Sequence, residues 1–286
     1  MLDTAEDRDR IACDYVAAFA RDGSRHYIAN LQTDVKAHVW GEHVLPLTVN
    51  HGERAETFLC SPRIGYIDYP LEELSRFPNP YVVPALRAII STMGAALSLA
   101  DVDRIVHLNN WMISTNLPVA LDPTLATAQT DRLVGDYPAH LLAMKSLTRR
   151  QNAPLIDALL AAGWVLLPSR QVFLVDDVAR DGFRRRDTRR DEKLWQRGAF
   201  TLEESEGLSV ADVDRIVALY AMLYLDKYSR LNPSYTASFV SLTQRIGMIR
   251  YLLLRDENGV IQGFGGMHRL GQYATMPLIG YNIRVP

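Results

Sequence analysis

The sequence predicts a mixed α/β fold made of two similar units in tandem. Segments whose apolar residues recur at helical spacing alternate with short extended runs bounded by glycine and proline. A charged segment without an apolar face, residues 179–198, interrupts this pattern. A chain of 286 residues is long enough for two modest domains, each with its own core. We therefore predict units at 1–178 and 199–286, joined by an arginine-rich linker.

In the first unit a helix is predicted over residues 6–21, because apolar positions follow helical spacing and Asp22-Gly23 ends the pattern. Helices and strands then alternate and the unit closes in a hairpin, which is typical of a mixed α/β domain. The further predicted elements are strands at 35–40, 44–49, 57–60 and 64–69, a helix at 79–99, a strand at 104–117, a helix at 124–134, a strand at 140–147, a helix at 152–162, and a hairpin of 164–167 with 171–175.

The second unit contains clearer helix-capping and turn motifs than the first unit. Ser209, with Asp212 three residues later, predicts the capped start of a helix. The run Asp256-Glu257-Asn258-Gly259 predicts a hairpin turn. The predicted elements are a strand at 200–206, helices at 209–228 and 234–246, and strands at 249–254, 260–268 and 273–282. The order is β-α-α-β-β-β, and the last three strands form an antiparallel meander.

Composition narrows the class of protein. The formal net charge of −2 provides no overall field toward nucleic acid or an anionic membrane. The two cysteines, Cys13 and Cys60, lie in unrelated contexts, which favours a reducing compartment. The N-terminus is acidic without an apolar segment, and no apolar run is long enough to span a membrane. We expect a cytoplasmic protein with no membrane partner.

The order of elements in residues 199–286 resembles the first half of the GNAT acyltransferase fold. The later part of the first unit, residues 104–175, resembles the second half of the same fold. Two such units in one chain are similar to the tandem arrangement of the Fem-type peptidoglycan aminoacyltransferases and their uncharacterised relatives. The resemblance implies an N-acyltransferase that moves an acyl group from acetyl-CoA or another acyl-CoA to a small-molecule or peptide-like amine.

The sequence differs from that family at the phosphate-binding loop. GNAT enzymes bind the CoA pyrophosphate through a Gln/Arg-x-x-Gly-x-Gly/Ala turn after the fourth strand, where backbone N–H groups and a helix N-terminus neutralise phosphate. The second unit ends at Pro286, where this turn should begin, and the equivalent connection in the first unit, residues 118–124, has no glycine. A last strand without a neighbour favours a truncated copy, or pairing with another chain in a homo-oligomer.

Two alternatives stay open. One is a non-catalytic ligand-binding or accessory protein with a degenerate acyltransferase fold. The other is a transferase that uses aminoacyl-tRNA, because the linker at 179–198 carries eight arginine and lysine residues that could contact a phosphate backbone. Four interspersed acidic residues favour a solvated connection over a nucleic-acid site.

Acyl transfer needs an acceptor for the proton of the amine, a donor to the carbonyl oxygen and an acid for the departing thiolate. The resemblance places these groups near the end of the last strand. There Tyr281 is a candidate acid, Leu278 and Gly280 are candidate cofactor-binding residues, and Thr275 and Asn282 are candidate substrate-binding residues. The alternative, which the position favours, is that a tyrosine in a sheet is a core residue with its hydroxyl at the rim.

A stripe of tyrosines provides further candidates. Tyr220, Tyr224 and Tyr228 follow each other at i, i+4 and i+8 on one helix, with Lys227 beside them. Tyr228 is a candidate catalytic residue, although such a stripe also describes ordinary packing. The loop that follows contains the candidate substrate-binding residues Ser229, Asn232 and Tyr235.

The remaining candidates are isolated polar residues. His268 is a possible base at the end of a strand that contains three glycines, which indicate either a bulge or the close approach of a ligand. In the first unit Asn109 and Asn110 predict either a substrate cleft or a structural hydrogen-bond network. Lys145, in the predicted strand at 140–147, is either a catalytic buried lysine or an edge residue with an exposed amine. No cluster has the spacing of a metal site, and we predict no metal.

Overall fold

The computed structural model describes residues 5–53, 56–169, 171–182, 186–198 and 200–284. The helices are α1 (Ala5–Asp22), α2 (Ser24–Tyr27), α3 (Tyr69–Glu73), α4 (Val83–Leu99), α5 (Ala126–Asp136), α6 (Arg149–Ala161), α7 (Arg186–Trp195), α8 (Val210–Tyr220) and α9 (Ala237–Arg245). The strands are β1 (Asp34–Trp40), β2 (His43–His51), β3 (Arg104–Leu108), β4 (Leu141–Met144), β5 (Phe200–Glu204), β6 (Arg250–Asp256), β7 (Ile261–Leu270) and β8 (Tyr273–Tyr281). The predicted mixed α/β class is confirmed.

Two four-stranded sheets organise these elements. The first has the order β1-β2-β3-β4, with antiparallel pairs except for the parallel pair of β3 and β4. The second has the order β5-β6-β7-β8 and is antiparallel throughout. The predicted β-α-α-β-β-β order of residues 200–281 is therefore correct.

Local signals in the second half of the chain act as the sequence predicts. Ser209 and Asp212 form a capping box at the start of α8, with each side chain bonded to the other residue's backbone N–H. The next helix begins at Ala237, three residues later than predicted, because Thr236 is its N-cap and accepts from the backbone of Phe239.

Two of the strands predicted in the first half are wrong. Residues 57–60 form turns, and 64–69 begin a π-helical segment, Ile64–Asp68, that leads into α3. The physical reason is at Ser61, whose side chain accepts from the backbone N–H of Ile64 over 3.0 Å and so caps a helix start that continues through Pro62. This signal overrides the strand preference of the following apolar residues.

Two further predictions need correction. The strand expected over 104–117 ends at Leu108, because Asn109 and Met112 adopt positive φ angles of 51° and 52°, which a strand cannot accommodate. The hairpin expected from 164–167 and 171–175 has no ladder among the described residues. Its side chains are largely exposed, for example Val165 at 77%. Residues that favour strands form one only when their side chains also pack against neighbours.

The two halves of the chain share one hydrophobic core. It combines α1 and residues 111–113 from the first half with α8, α9 and the second sheet. A smaller core lies between the other face of the first sheet and helices α5 and α6. Two hydrogen bonds connect segments inside the shared core. The hydroxyl of Tyr15 donates to the carbonyl of Trp111, and the hydroxyl of Tyr235 donates to the carbonyl of Met112.

The segment predicted as a linker contains two helical pieces, the π-helical Val178–Gly182 and the charged helix α7, while residues 183–185 lie outside the described residues. Within the part of the chain that the structure describes, no helix combines the length and apolar character required to cross a membrane.

Candidate functional site

A groove about 340 Å³ in volume lies where β8 meets the end of α8 and helix α3. It brings together two candidate catalytic tyrosines of the sequence analysis, Tyr228 and Tyr281. The residues that line it are Tyr69, Glu73, Leu223, Tyr224, Tyr228, Ile279 and Tyr281. Aromatic rings therefore form most of its wall, with one lining carboxylate.

The tyrosine stripe reaches the groove from the core. Tyr220 is buried, and its ring lies 5.1 Å from that of Tyr235. Tyr224 stacks on Tyr220 at 4.8 Å, and Tyr228 follows at 6.2 Å from Tyr224 with 43% of its surface exposed. Helix α8 passes into a π-helical segment, Ala221–Asp226, and such segments recur at functional sites. The stripe therefore begins in the core at Tyr220 and ends at the protein surface at Tyr228.

The tyrosines of the groove affect the pKa of Tyr224. Burial raises the pKa of Tyr224, and the neighbouring Tyr228, Tyr281 and Tyr69 raise it further. A raised phenol pKa means that Tyr224 stays protonated at neutral pH. It can therefore donate or accept a hydrogen bond but does not contribute negative charge.

Two cations flank the same rings. The ammonium of Lys227 lies 5.5 Å from the ring centre of Tyr228 and 6.0 Å from that of Tyr281. The guanidinium of Arg76 lies 6.0 Å from the Tyr228 ring and donates to the backbone carbonyls of Lys227 and Tyr228 over 3.0 and 2.6 Å. These distances are within the range of cation–π attraction.

The open edge of β8 forms one side of the groove. The backbone N–H of Asn282 donates to Gln262, so the antiparallel alternation directs the backbone of Leu278 and Gly280 toward β7 as well. The intervening residues, Ile279 and Tyr281, direct their N–H and C=O groups away from β7, and β8 is the end strand of its sheet among the described residues. The two residues whose backbone N–H groups are directed away from β7 are therefore the two β8 residues that line the groove.

Leu278 and Gly280, the expected cofactor-binding residues, lie on the packed side of β8. Leu278 is 1% exposed. A Cβ atom at Gly280 would lie 2.9 Å from the backbone of both Leu219 and Tyr220, so the glycine permits α8 to approach the strand. The alternate residues Ile279 and Tyr281 line the groove instead; sequence reasoning named Tyr281 as a candidate but missed Ile279.

The polar loop after the tyrosine stripe supports the groove from behind. Ser229 is hydrogen-bonded to the carboxylate of Glu72. Asn232 donates to the backbone carbonyls of Tyr224 and Ser229 over 3.1 and 2.9 Å, and both loop residues are buried. Tyr235 is buried in the shared core. The structure does not place these three expected substrate-binding residues among those lining the groove.

His268 lies apart from the groove. Its Nδ1 is 2.8 Å from the carbonyl oxygen of Met248, and burial lowers the pKa of the imidazole. It lines a separate cavity of about 20 Å³, enough for about one water molecule, together with Trp111. The bulge alternative for the neighbouring glycines is correct, since the register shifts between Gly266 and His268.

Two more expected substrate-binding residues lie on β8 and beside it. Thr275 is half-buried and faces His268 across the β7–β8 pair. The side chain of Asn282 donates to the side chain of Gln262 over 2.8 Å. Neither residue is among those that line the groove.

Asn109 and Asn110 belong to a buried network beside the first sheet. The side-chain oxygen of Asn109 accepts from the indole of Trp111 over 2.9 Å, and Asn110 donates to the hydroxyl of Thr48 over 2.9 Å. Of the two interpretations the sequence left open, the hydrogen bonds favour the structural one.

The same network gives Cys60 a partner that the sequence does not reveal. Its sulfur lies 3.5 Å from the amide nitrogen of Asn110. Burial raises the pKa of the thiol, an effect that nearby Lys145 partly opposes. Lys145 donates to the carbonyl of Leu59 over 2.5 Å. A protonated, buried thiol of this kind is inert packing rather than a nucleophile.

The groove residues that sequence reasoning missed come mainly from the first half of the chain. Tyr69 fell in a predicted strand, and Glu73 had no pattern to mark it, since α3 lies about 150 residues from the rest of the site. Among the described residues no group of three or more histidine, cysteine, aspartate or glutamate side chains could hold a metal ion. Comparisons with protein-family models, curated proteins and solved structures find no match.

Proposed function

We propose that the protein is an N-acyltransferase that transfers an acyl group from a CoA thioester to an amine, with the tyrosine-lined groove as the site of reaction. The observation that carries this proposal is that Ile279 and Tyr281 of the end strand β8 line the groove, with their backbone N–H groups directed away from β7 and with the phenol of Tyr281 on the same strand. Acyl transfer requires these two kinds of donor at one place.

The order of elements supports the tandem GNAT resemblance. The second half of the chain has the strand, two helices and antiparallel meander that the resemblance requires. The first half has a parallel pair, β3 and β4, connected through α5 and followed by α6. Both cysteines are free, Cys13 exposed and Cys60 buried, which supports a reducing cytoplasmic setting.

The proposed reaction is direct attack without a covalent enzyme intermediate. The amine nitrogen attacks the thioester carbonyl, an N–C bond forms, and the C–S bond breaks to release CoA. A backbone N–H of Ile279 or Tyr281 donates to the carbonyl oxygen as negative charge develops there. The phenol of Tyr281 donates its proton to the departing thiolate, and the carboxylate of Glu73 receives the proton that the amine loses.

Two measurements on the intact chain test this proposal. Acetyl-CoA and longer acyl-CoAs should raise the melting temperature in proportion to the logarithm of their concentration, whereas ATP at the same concentration should not. Incubation with acyl-CoA and a panel of amines should release free CoA thiol. The proposal fails if millimolar acyl-CoA neither stabilises the protein nor releases thiol with any amine.

A non-catalytic binding protein is the second candidate. The observation that favours it is that the polar residues of the loop, Ser229 and Asn232, are engaged in structural hydrogen bonds and do not line the groove. This candidate predicts stabilisation by a groove ligand without any release of CoA thiol. The same pair of measurements therefore separates the two functions.

A further inference from the structure

Four tyrosine side chains and one carboxylate line the open groove. We call Tyr69, Tyr224, Tyr228 and Tyr281 the tyrosine box; all four line the groove together with Glu73. The face of an aromatic ring carries partial negative charge. A site walled by such faces and a carboxylate attracts positive charge and does not favour an anion.

Of the two cations beside this box, Lys227 is the one that lies over two of its rings. The ammonium of Lys227 lies 5.5 Å from the ring centre of Tyr228 and 6.0 Å from that of Tyr281, so it is shared between two rings. Lys227 is exposed, and its flexible side chain can leave the rings at little cost. The position of its ammonium therefore marks where another ammonium group would be bound.

We propose that the tyrosine box binds the organic ammonium group of a small amine, and that Lys227 occupies this position in the free protein. The inference deepens the proposed function, because it names the acyl acceptor as an organic cation. Only the acyl transfer that follows binding rests on the proposed function. Leu223 and Ile279 add apolar wall, which suits an ammonium attached to a short alkyl group.

The rival ligand is an anion that pairs with Lys227 and Arg76. Arg76 is already partly engaged, since its Nη2 donates to the carbonyls of Lys227 and Tyr228. The two ligands respond in opposite ways to Lys227. Removing the charge of Lys227 would weaken the binding of an anion. For an ammonium ligand the same change would leave the tyrosine box empty and strengthen binding.

The test uses choline as the probe and its uncharged isostere 3,3-dimethylbutanol as the comparison, with binding to the intact chain measured by calorimetry. We expect choline to bind at least about tenfold more tightly than the isostere. Lys227→Met should tighten choline binding by about five- to tenfold. Tyr228→Leu should weaken it by about tenfold, while Tyr228→Phe should retain it because the ring face remains.

The chain offers a matched control for the lysine variant. Lys36 lies 5.4 Å from the ring centre of Tyr137, outside the groove, so Lys36→Met removes a similar lysine–tyrosine pair and should leave choline binding unchanged. Equal binding of choline and its isostere, or weaker choline binding by Lys227→Met, would overturn the inference. Choline binding without acyl transfer to any amine of the panel would contradict the proposed function alone, and acyl transfer to amines without preference for choline over its isostere would contradict this inference alone.

Discussion

The hydroxyl of Tyr235 donates a hydrogen bond to the backbone carbonyl of Met112 over 2.8 Å, in the middle of a core that both halves of the chain build. The two residues are 123 positions apart. Met112 holds a positive φ angle of 52°, which carries a conformational cost for a residue other than glycine. The bond joins the segment after β3 to the segment before α9.

The first prediction follows from this bond. Tyr235→Phe removes the donor inside a buried environment, so the free energy of unfolding should fall by about 1–3 kcal/mol. Because the core is shared, urea unfolding followed by tryptophan fluorescence and circular dichroism should remain one transition. Tyr228→Phe, at an exposed position, is the control and should change stability by less than about 0.5 kcal/mol. Two separate transitions would contradict the shared core.

The second prediction compares two glycines. A Cβ atom at Gly280 would meet the backbone of Leu219 and Tyr220 at 2.9 Å, whereas one at Gly265 would meet the flexible side chain of Met276 at 2.8 Å. Gly280→Ala should therefore destabilise the protein by about 1–3 kcal/mol, and Gly265→Ala by less than about 1 kcal/mol, in the same urea titration. Equal effects would show that α8 can move away from β8.

The third prediction concerns pH. Burial lowers the pKa of both His107 and His268, so the native state keeps them neutral while the unfolded state protonates them. The free energy of unfolding should therefore be highest above pH of about 6.5 and should fall below it, by up to about 1.4 kcal/mol per pH unit for each histidine. His268→Asn should make this decline shallower. His26→Asn, at an exposed position, should not, and an unchanged decline in the His268 variant would count against the burial argument.

The fourth prediction separates binding from chemistry at Tyr281. Tyr281→Phe keeps the ring and removes the phenolic proton, so acyl transfer should slow by about 100-fold or more while choline affinity stays the same. Rates of CoA thiol release and calorimetry on the same variant measure the two effects. Full activity in the variant would exclude the phenol as the acid for the thiolate.

Sequence reasoning predicted the second half of the chain better than the first. In the second half each element carries its own local signal, such as the capping box of Ser209 and Asp212. In the first half Ser61 caps a helix that strand-forming residues concealed. Of the candidate catalytic tyrosines, Tyr228 and Tyr281 meet at the groove, because one follows a helical stripe and the other ends a strand. The polarity of Asn109 and Asn110 within an apolar segment predicts that they are hydrogen-bonded, but only the structure identifies Trp111 and Thr48 as their partners.

The sequence by itself determined the mixed α/β class, the order of elements after residue 200, and the tyrosine stripe, because helical spacing, capping residues and turn residues act between neighbours in the chain. Only the tertiary structure decided which backbone groups of β8 face the groove, since that depends on pairing with β7. It also decided that Tyr69 and Glu73 join Tyr281 there. Contacts over some 200 residues leave no local pattern to read, and here they pack α1 and residues 111–113 against α8, α9 and the second sheet in one shared core.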